Sequence, residues 1–113
     1  MFRSSAALEP FAAIADVRED RAEIWAGLKV PILAQQNIAQ ALGMSQDQVK
    51  VNVVTGGGSF GHKLFRDHAI EAAQISQAMC KTVKLMWHRA DEPRQGRMHP
   101  MCTSRVRATM LAG

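Results

Sequence analysis

The chain has no tyrosine, and aromatic residues make up only 5% of it. A nucleic-acid surface is usually a basic stripe with aromatics interleaved for base stacking, so that class of partner is not expected. Cysteine is scarce as well. Cys80 and Cys102 stand far apart with no C-x-x-C partner, which excludes a disulfide framework and points to two buried free thiols in a reducing compartment, the cytoplasm by default. No apolar run approaches the roughly 18 residues of a membrane span. Met1-Phe2-Arg3-Ser4-Ser5 leads to Glu9 and Pro10 rather than to the apolar centre of a signal peptide, so no membrane targeting is expected. Low-complexity runs and internal repeats are also missing, which removes disordered and fibrous classes.

What is there suits one hydrophobic core. The 113 residues are 47% hydrophobic and 21% charged, the content of a single domain or part of one over residues 1–113. The net charge of +4 is unevenly spread: residues 1–57 hold 5 Lys/Arg against 6 Asp/Glu, and residues 58–113 hold 9 against 4. A basic second half fits an anionic ligand such as a phosphorylated cofactor, an acidic partner, or simply a solvated basic face.

Phe11–Val17 reads as a strand and Glu23–Ala26 alternates as a second, with Arg18-Glu19-Asp20-Arg21 as the turn of a hairpin. Over Pro31–Leu42 the apolar residues recur near a period of 3.6, Pro31 suits the first turn and Gly43 the C-terminal cap, so a helix is predicted. Val49, Val51 and Val53 alternate as a strand that runs into Thr55-Gly56-Gly57-Gly58-Ser59-Phe60-Gly61. Phe65, Ala69, Ala72, Ile75, Ser76 and Met79 mark one face of a helix from about Leu64 to Cys80, its N-terminus against the glycines. Val83, Leu85 and Trp87 alternate as a strand, Arg89–Arg97 is a polar connection with room for a helical turn before Pro93, and Thr103–Met110 alternates as a closing strand. The order β-β-α-β-α-β with an antiparallel opening hairpin predicts an α+β fold of two layers, a mixed sheet with helices on one face.

Four glycines within six positions, Gly56, Gly57, Gly58 and Gly61, let the backbone approach a ligand closely and admit positive φ. Between a strand and a helix, their N–H groups would favour an anion such as a phosphate or an oxo group; a tight turn that only packs strand on helix is the other reading. The phosphate-loop motif is not met, because Gly61 is followed by His62-Lys63-Leu64. Gly56-x-Gly58-x-x-Gly61 has the form of a dinucleotide fingerprint, but His88-Arg89 stands where an acidic ribose ligand is expected, leaving an NADP-type alternative. His62 with His68, and His88 with His99, are spaced so that neither pair shares a helical face for a metal. Ser59 lacks the frame of a nucleophile elbow. Arg89, Arg94, Arg97, Arg105 and Arg107 either grip a dinucleotide phosphate or form a solvated edge.

Leu8-Glu9-Pro10, Glu23-Ile24-Trp25-Ala26, Ile38-Ala39-Gln40-Ala41-Leu42-Gly43, Val49-Lys50-Val51-Asn52-Val53, Gly57-Gly58-Ser59-Phe60-Gly61 and Val83-Lys84-Leu85-Met86-Trp87 with Arg89 occur in this order. Together, over about Ala6–Ala108, they resemble the molybdenum-cofactor-binding large subunit of the xanthine dehydrogenase and aldehyde oxidase family, nearest to isoquinoline 1-oxidoreductase-like β subunits. The resemblance implies a molybdenum-cofactor-binding subdomain and molybdopterin cytosine dinucleotide with molybdenum as cofactor. It implies hydroxylation of an aldehyde or N-heterocycle with water, and an iron–sulfur subunit as partner. The family's loop lies against the cofactor and maps onto Gly57, Gly58, Ser59, Phe60 and Gly61.

Leu28 and Lys29 stand where the family usually has Thr-Gln, whose Gln contacts a molybdenum oxo ligand, and Ser59 replaces a glycine, which requires negative φ there. The family's general-base glutamate lies hundreds of residues further on, and Glu9, Glu19, Glu23, Glu71 and Glu92 do not match its context, so no catalytic residue is assigned. The expectation is therefore a fragment of a molybdenum hydroxylase subunit that meets the rest of the large subunit, is inactive alone and self-associates through uncovered apolar surface. A non-catalytic α+β assembly module is the alternative.

Overall fold

Alternation of small apolar and polar residues builds the centre of the sheet. In a computed structural model, which describes residues 6–98 and 100–110, β1 (Ala12–Val17) and β2 (Ala22–Ala26) form the expected antiparallel hairpin, paired from Val17 with Ala22 to Ala13 with Ala26. Ala13, Ala15, Val17, Ala22, Ile24 and Ala26 face inward and are buried. The opposite face sets Asp16 against Glu23, a like-charge pair; Arg18 at 2.7 Å from Asp16 and Lys50 at 2.8 Å from Glu23 offset the repulsion. Bonds from Thr82 and Arg18 hold the Asp16 carboxyl below the usual range, and bonds from Lys50 and Asn52 do the same for Glu23.

The helix α1 (Pro31–Leu42) has the predicted bounds. Gly43, at φ 71°, ends it: its N–H reaches the carbonyl of Gln40 and that of Met44 reaches Ala39, which satisfies two terminal carbonyls. A turn at Gln46–Gln48 leads to β3 (Val49–Val53), parallel to β2. After the glycine loop and a single 3-10 turn at His62–Leu64 comes α2 (Asp67–Met79), then β4 (Val83–Met86), antiparallel to β1, and the short α3 (Asp91–Gln95). Strand order is β3-β2-β1-β4, a mixed sheet. Helix α2 lies over β1 and β4, α1 over β3, and the helices pack on each other, giving the expected two-layer α+β arrangement. Alanines line this interface, with Ala34, Ala69, Ala72 and Ala73 fully buried, so helices and sheet approach closely around Ile24, Ile38 and Val49.

Several expectations are corrected. Thr103–Met110 forms no strand: Val106 is 88% and Met110 96% exposed, and alternation gains nothing without a surface to cover one face. Helix α2 begins at Asp67, because Phe65 is extended, so its N-terminus does not abut the glycines. Its buried face comprises His68, Ala69, Ala72, Ala73 and Ser76, while Met79 is exposed. The last helical turn includes Pro93, tolerated because an N-terminal amide there needs no intrahelical partner. Both cysteines are exposed rather than buried: Cys102 lies in the unpacked segment, and Cys80 is the left-handed residue after α2.

Cys80 takes at φ 51° the position that Gly43 takes after α1, at a steric cost of about 1 kcal/mol for a residue with a Cβ. Cys80→Gly is expected to stabilise the fold by about that amount, read as a higher denaturant midpoint with an unchanged slope.

Candidate functional site

The site is built on Phe11, which precedes β1 and is buried. Its ring stacks on His62 with centroids 5.3 Å apart and on His68 at 4.6 Å, and meets the Trp87 edge at 5.4 Å. The two histidines six residues apart are thus packing partners of one aromatic ring. His99 lies outside the described residues. Behind Phe11, the buried Glu92 accepts its N–H at 2.8 Å and pairs with Arg89, which in turn donates to the carbonyls of Ala7 and Leu8. Arg89 therefore ties down the N-terminal arm while its side chain remains partly exposed. Arg97 lies over the Phe65 ring at 4.3 Å and beside Asp67 at 3.4 Å, while Arg105 and Arg107 are in the exposed segment.

The arm so held delivers Glu9 to the glycine loop. One Glu9 oxygen accepts the Gly57 N–H at 2.6 Å and pairs with the Lys63 ammonium. The Lys63 side chain is 7% exposed and occupies a slot between two glycines. A Cβ on Gly27 would lie 3.1 Å from Lys63 Nζ and one on Gly56 2.5 Å from it; one on Gly57 would come within 2.7 Å of Glu9 Cβ. These bonds, the Lys63 hydrogen bond first and the Gly57 amide after it, hold the Glu9 carboxyl below its ordinary value against the opposing effect of burial. Neither Glu9 nor Lys63 is marked for a role by the sequence. The pair spans 54 positions, and no local pattern signals it.

The loop accordingly has two halves. Gly56 and Gly57 are exposed on one side and have Lys63 and Glu9 packed against the other. Gly58 (φ 99°), Phe60 (φ 49°) and Gly61 (φ 91°) take left-handed backbone; a Cβ on Gly58 would lie 2.9 Å from the Phe60 ring, and one on Gly61 would meet nothing within 4 Å. Ser59 keeps negative φ, as its place in the loop requires. Its carbonyl accepts the His62 N–H at 2.9 Å and its hydroxyl the Lys63 N–H at 3.2 Å, so it closes the 3-10 turn. Phe60 carries a 69% exposed ring on left-handed backbone, a conformation that costs a non-glycine residue roughly 1–2 kcal/mol. Among the described residues the amides of Ser59, Phe60 and Gly61 donate to no protein acceptor.

Beside them is a cavity of about 280 Å³ whose lining includes Gly27, Leu28, Lys29, Gly58, Ser59 and Lys63. Lys29 is exposed at its rim, anchored by its N–H to the Lys63 carbonyl at 3.1 Å. Of the five loop residues assigned from the sequence, Gly58 and Ser59 line this cavity together with Gly56, the Gly57 amide is engaged by Glu9, and Phe60 and Gly61 are not among the lining residues. The NADP-type fingerprint lacks its context, since Gly61 opens a single 3-10 turn and β3 and β4 lie at opposite edges of the sheet.

The family model for the molybdopterin cofactor-binding domain matches residues 3–110. The chain belongs to this family. It is 33% identical over 107 residues to isoquinoline 1-oxidoreductase subunit beta of Brevundimonas diminuta, across 94% of this chain and 14% of that one. It is also 33% identical over 101 residues to the membrane-bound aldehyde dehydrogenase [pyrroloquinoline-quinone] of Gluconacetobacter polyoxogenes, across 88% of this chain and 13% of that one. The chain therefore spans about one seventh of these relatives. Its fold is shared with aldehyde oxidoreductase from Desulfovibrio gigas, with a TM-score of 0.78 at 21% identity over 86% of this chain and 11% of that one. Quinoline 2-oxidoreductase from Pseudomonas putida 86 shares it with a TM-score of 0.69 at 20% identity, over 77% and 12% of the respective chains.

Burial, aided by the Lys63 charge, pushes the His68 imidazole down from 6.5 to about 4. Above pH 6.5 the group is neutral folded or unfolded and contributes nothing to pH dependence. Below it the unfolded chain takes a proton that the folded chain refuses, so stability falls as pH drops from 6.5 toward 4, by up to about 3 kcal/mol. His68→Gln is expected to flatten that part of the stability–pH curve, measured by urea unfolding at stepped pH.

Proposed function

We propose that the Gly58–Gly61 half of the glycine loop holds an oxo or phosphate group of a molybdenum-bearing pterin cofactor, in its cytosine dinucleotide form. The observation that carries this reading is the run of amides at Ser59, Phe60 and Gly61 that donate to no acceptor among the described residues, next to a cavity lined by Gly56, Gly58, Ser59 and Lys29. Amide donors and one cation suit an anionic ligand and offer no atom that ligates a metal, so these residues fit the cofactor's oxygens. When bound, the cofactor would supply two-electron oxidation. The chain's residues would orient it: the Ser59, Phe60 and Gly61 amides as donors, Gly58 and Gly61 as turns, and Lys29 as the cation where relatives of the resembled family carry glutamine.

The parent protein would be the large subunit of a molybdenum hydroxylase that oxidises an aldehyde or N-heterocycle with water as oxygen source and passes electrons to an iron–sulfur subunit. The names of the relatives, one after isoquinoline and one after aldehyde, support that substrate range. The chain alone would be inactive, as no general base is assigned in it.

Gly61→Trp in the native assembly is expected to lower molybdenum and pterin content about tenfold, an increment of ~1.4 kcal/mol in binding. Unchanged content and turnover would refute the loop's role.

The second reading, a non-catalytic assembly module, draws on the exposed segment with Val106 and Met110 and on the β4 edge. Both readings place further polypeptide against these surfaces, and both expect the isolated chain to self-associate. Light scattering at rising concentration is expected to show dimers or larger species, and a monodisperse monomer at high concentration would contradict it.

A further inference from the structure

The Glu9–Lys63 pair joins the N-terminal arm to the glycine loop, with Lys63 among the residues that line the cavity. Lys63 is nearly sealed from solvent, and a buried ammonium without a counter-charge is costly, so Glu9 is drawn to it. The same Glu9 oxygen takes the Gly57 N–H at 2.6 Å, and Gly57 rests on the Glu9 backbone and Cβ. Lys63 joins a third segment, accepting the Lys29 N–H at its carbonyl, while its own N–H is taken by Ser59 Oγ. One ion pair therefore connects the N-terminal arm, the turn after β2 and both halves of the glycine loop. Arg89 fixes the arm from the other side through the carbonyls of Ala7 and Leu8.

We propose that Glu9 and Lys63 are positioning residues, a charge pair that engages the Gly57 amide and anchors the loop so that the Ser59, Phe60 and Gly61 amides are set for the ligand, acting through the loop although Lys63 lines the same cavity. The inference rests on the loop's proposed role as a cofactor cradle. Glu9→Gln keeps an acceptor for Gly57 but leaves Lys63 as an uncompensated buried charge. Lys63→Met keeps the apolar stem in its slot and releases Glu9.

The test uses the native assembly purified with its cofactor. Each single variant is expected to lose molybdenum and pterin about tenfold faster at a fixed sub-denaturing urea concentration, the effect of one lost hydrogen bond to a charged group. Glu9→Gln/Lys63→Met together should recover release to within about twofold of the parent, because the double variant buries no unpaired charge and retains an acceptor at Gly57. The melting temperature of the cofactor-depleted assembly serves as the structural readout. Release that follows the fall in melting temperature, without recovery in the double variant, would reduce the pair to packing and overturn the proposal, as would unchanged release in both single variants. If Glu9→Gln does not assemble, Lys63→Met alone decides between positioning and packing through its release rate against its melting temperature. Gly61→Trp separates the two levels: normal cofactor content there refutes the cradle itself, whereas loss there with normal release in the Glu9 and Lys63 variants refutes only the positioning pair.

Discussion

The arrangement of the loop depends on one buried positive charge. Lys63 enters the interior beside the sheet's end, where its ammonium has a carboxylate within reach only because the N-terminal arm folds across the loop. Taking an ammonium out of water costs several kcal/mol unless it is paired and hydrogen-bonded, so the arm, the turn at Gly27 and the loop at Gly56 settle in one mutual position. Glycine at 27 and 56 is what leaves room for the lysine stem.

A second constraint, the Phe11 stack, works in the same direction. Phe11 brings together His62 from the 3-10 turn, His68 from α2 and Trp87 from the end of β4, and its amide is taken by Glu92 of α3. The ring is thus shared by segments from most of the chain's length, and burial there keeps His68 neutral beside Lys63. The loop is a strained piece of backbone, with Phe60 in the left-handed region, held on rigid support.

Much of the fold was legible because it rests on local periodicity. The bounds of α1 and β3, the antiparallel hairpin and the cap at Gly43 follow from apolar spacing and from one glycine in the left-handed region. The same logic failed where it lacked a surface: Thr103–Met110 alternates as a strand does, yet nothing among the described residues covers either of its faces. It failed in part at α2: Ala69, Ala72 and Ser76 of the expected face are buried, but Met79 is exposed and His68 and Ala73 complete the buried face. Ser76 explains its place by two bonds, accepting the Val17 N–H at 3.0 Å and donating to the Lys81 carbonyl at 2.7 Å.

The candidate site divides along the same line. Sequence alone determined that a glycine cluster follows a strand, that Ser59 needs negative φ, and that the family's loop motif falls on Gly57–Gly61, because each is a property of neighbouring residues. Tertiary structure decided which side chains pack against Gly56 and Gly57. They are those of Glu9 and Lys63, 54 positions apart, and a contact at that separation is formed by the closing of the whole fold around a buried charge rather than by any pattern in the residues beside it.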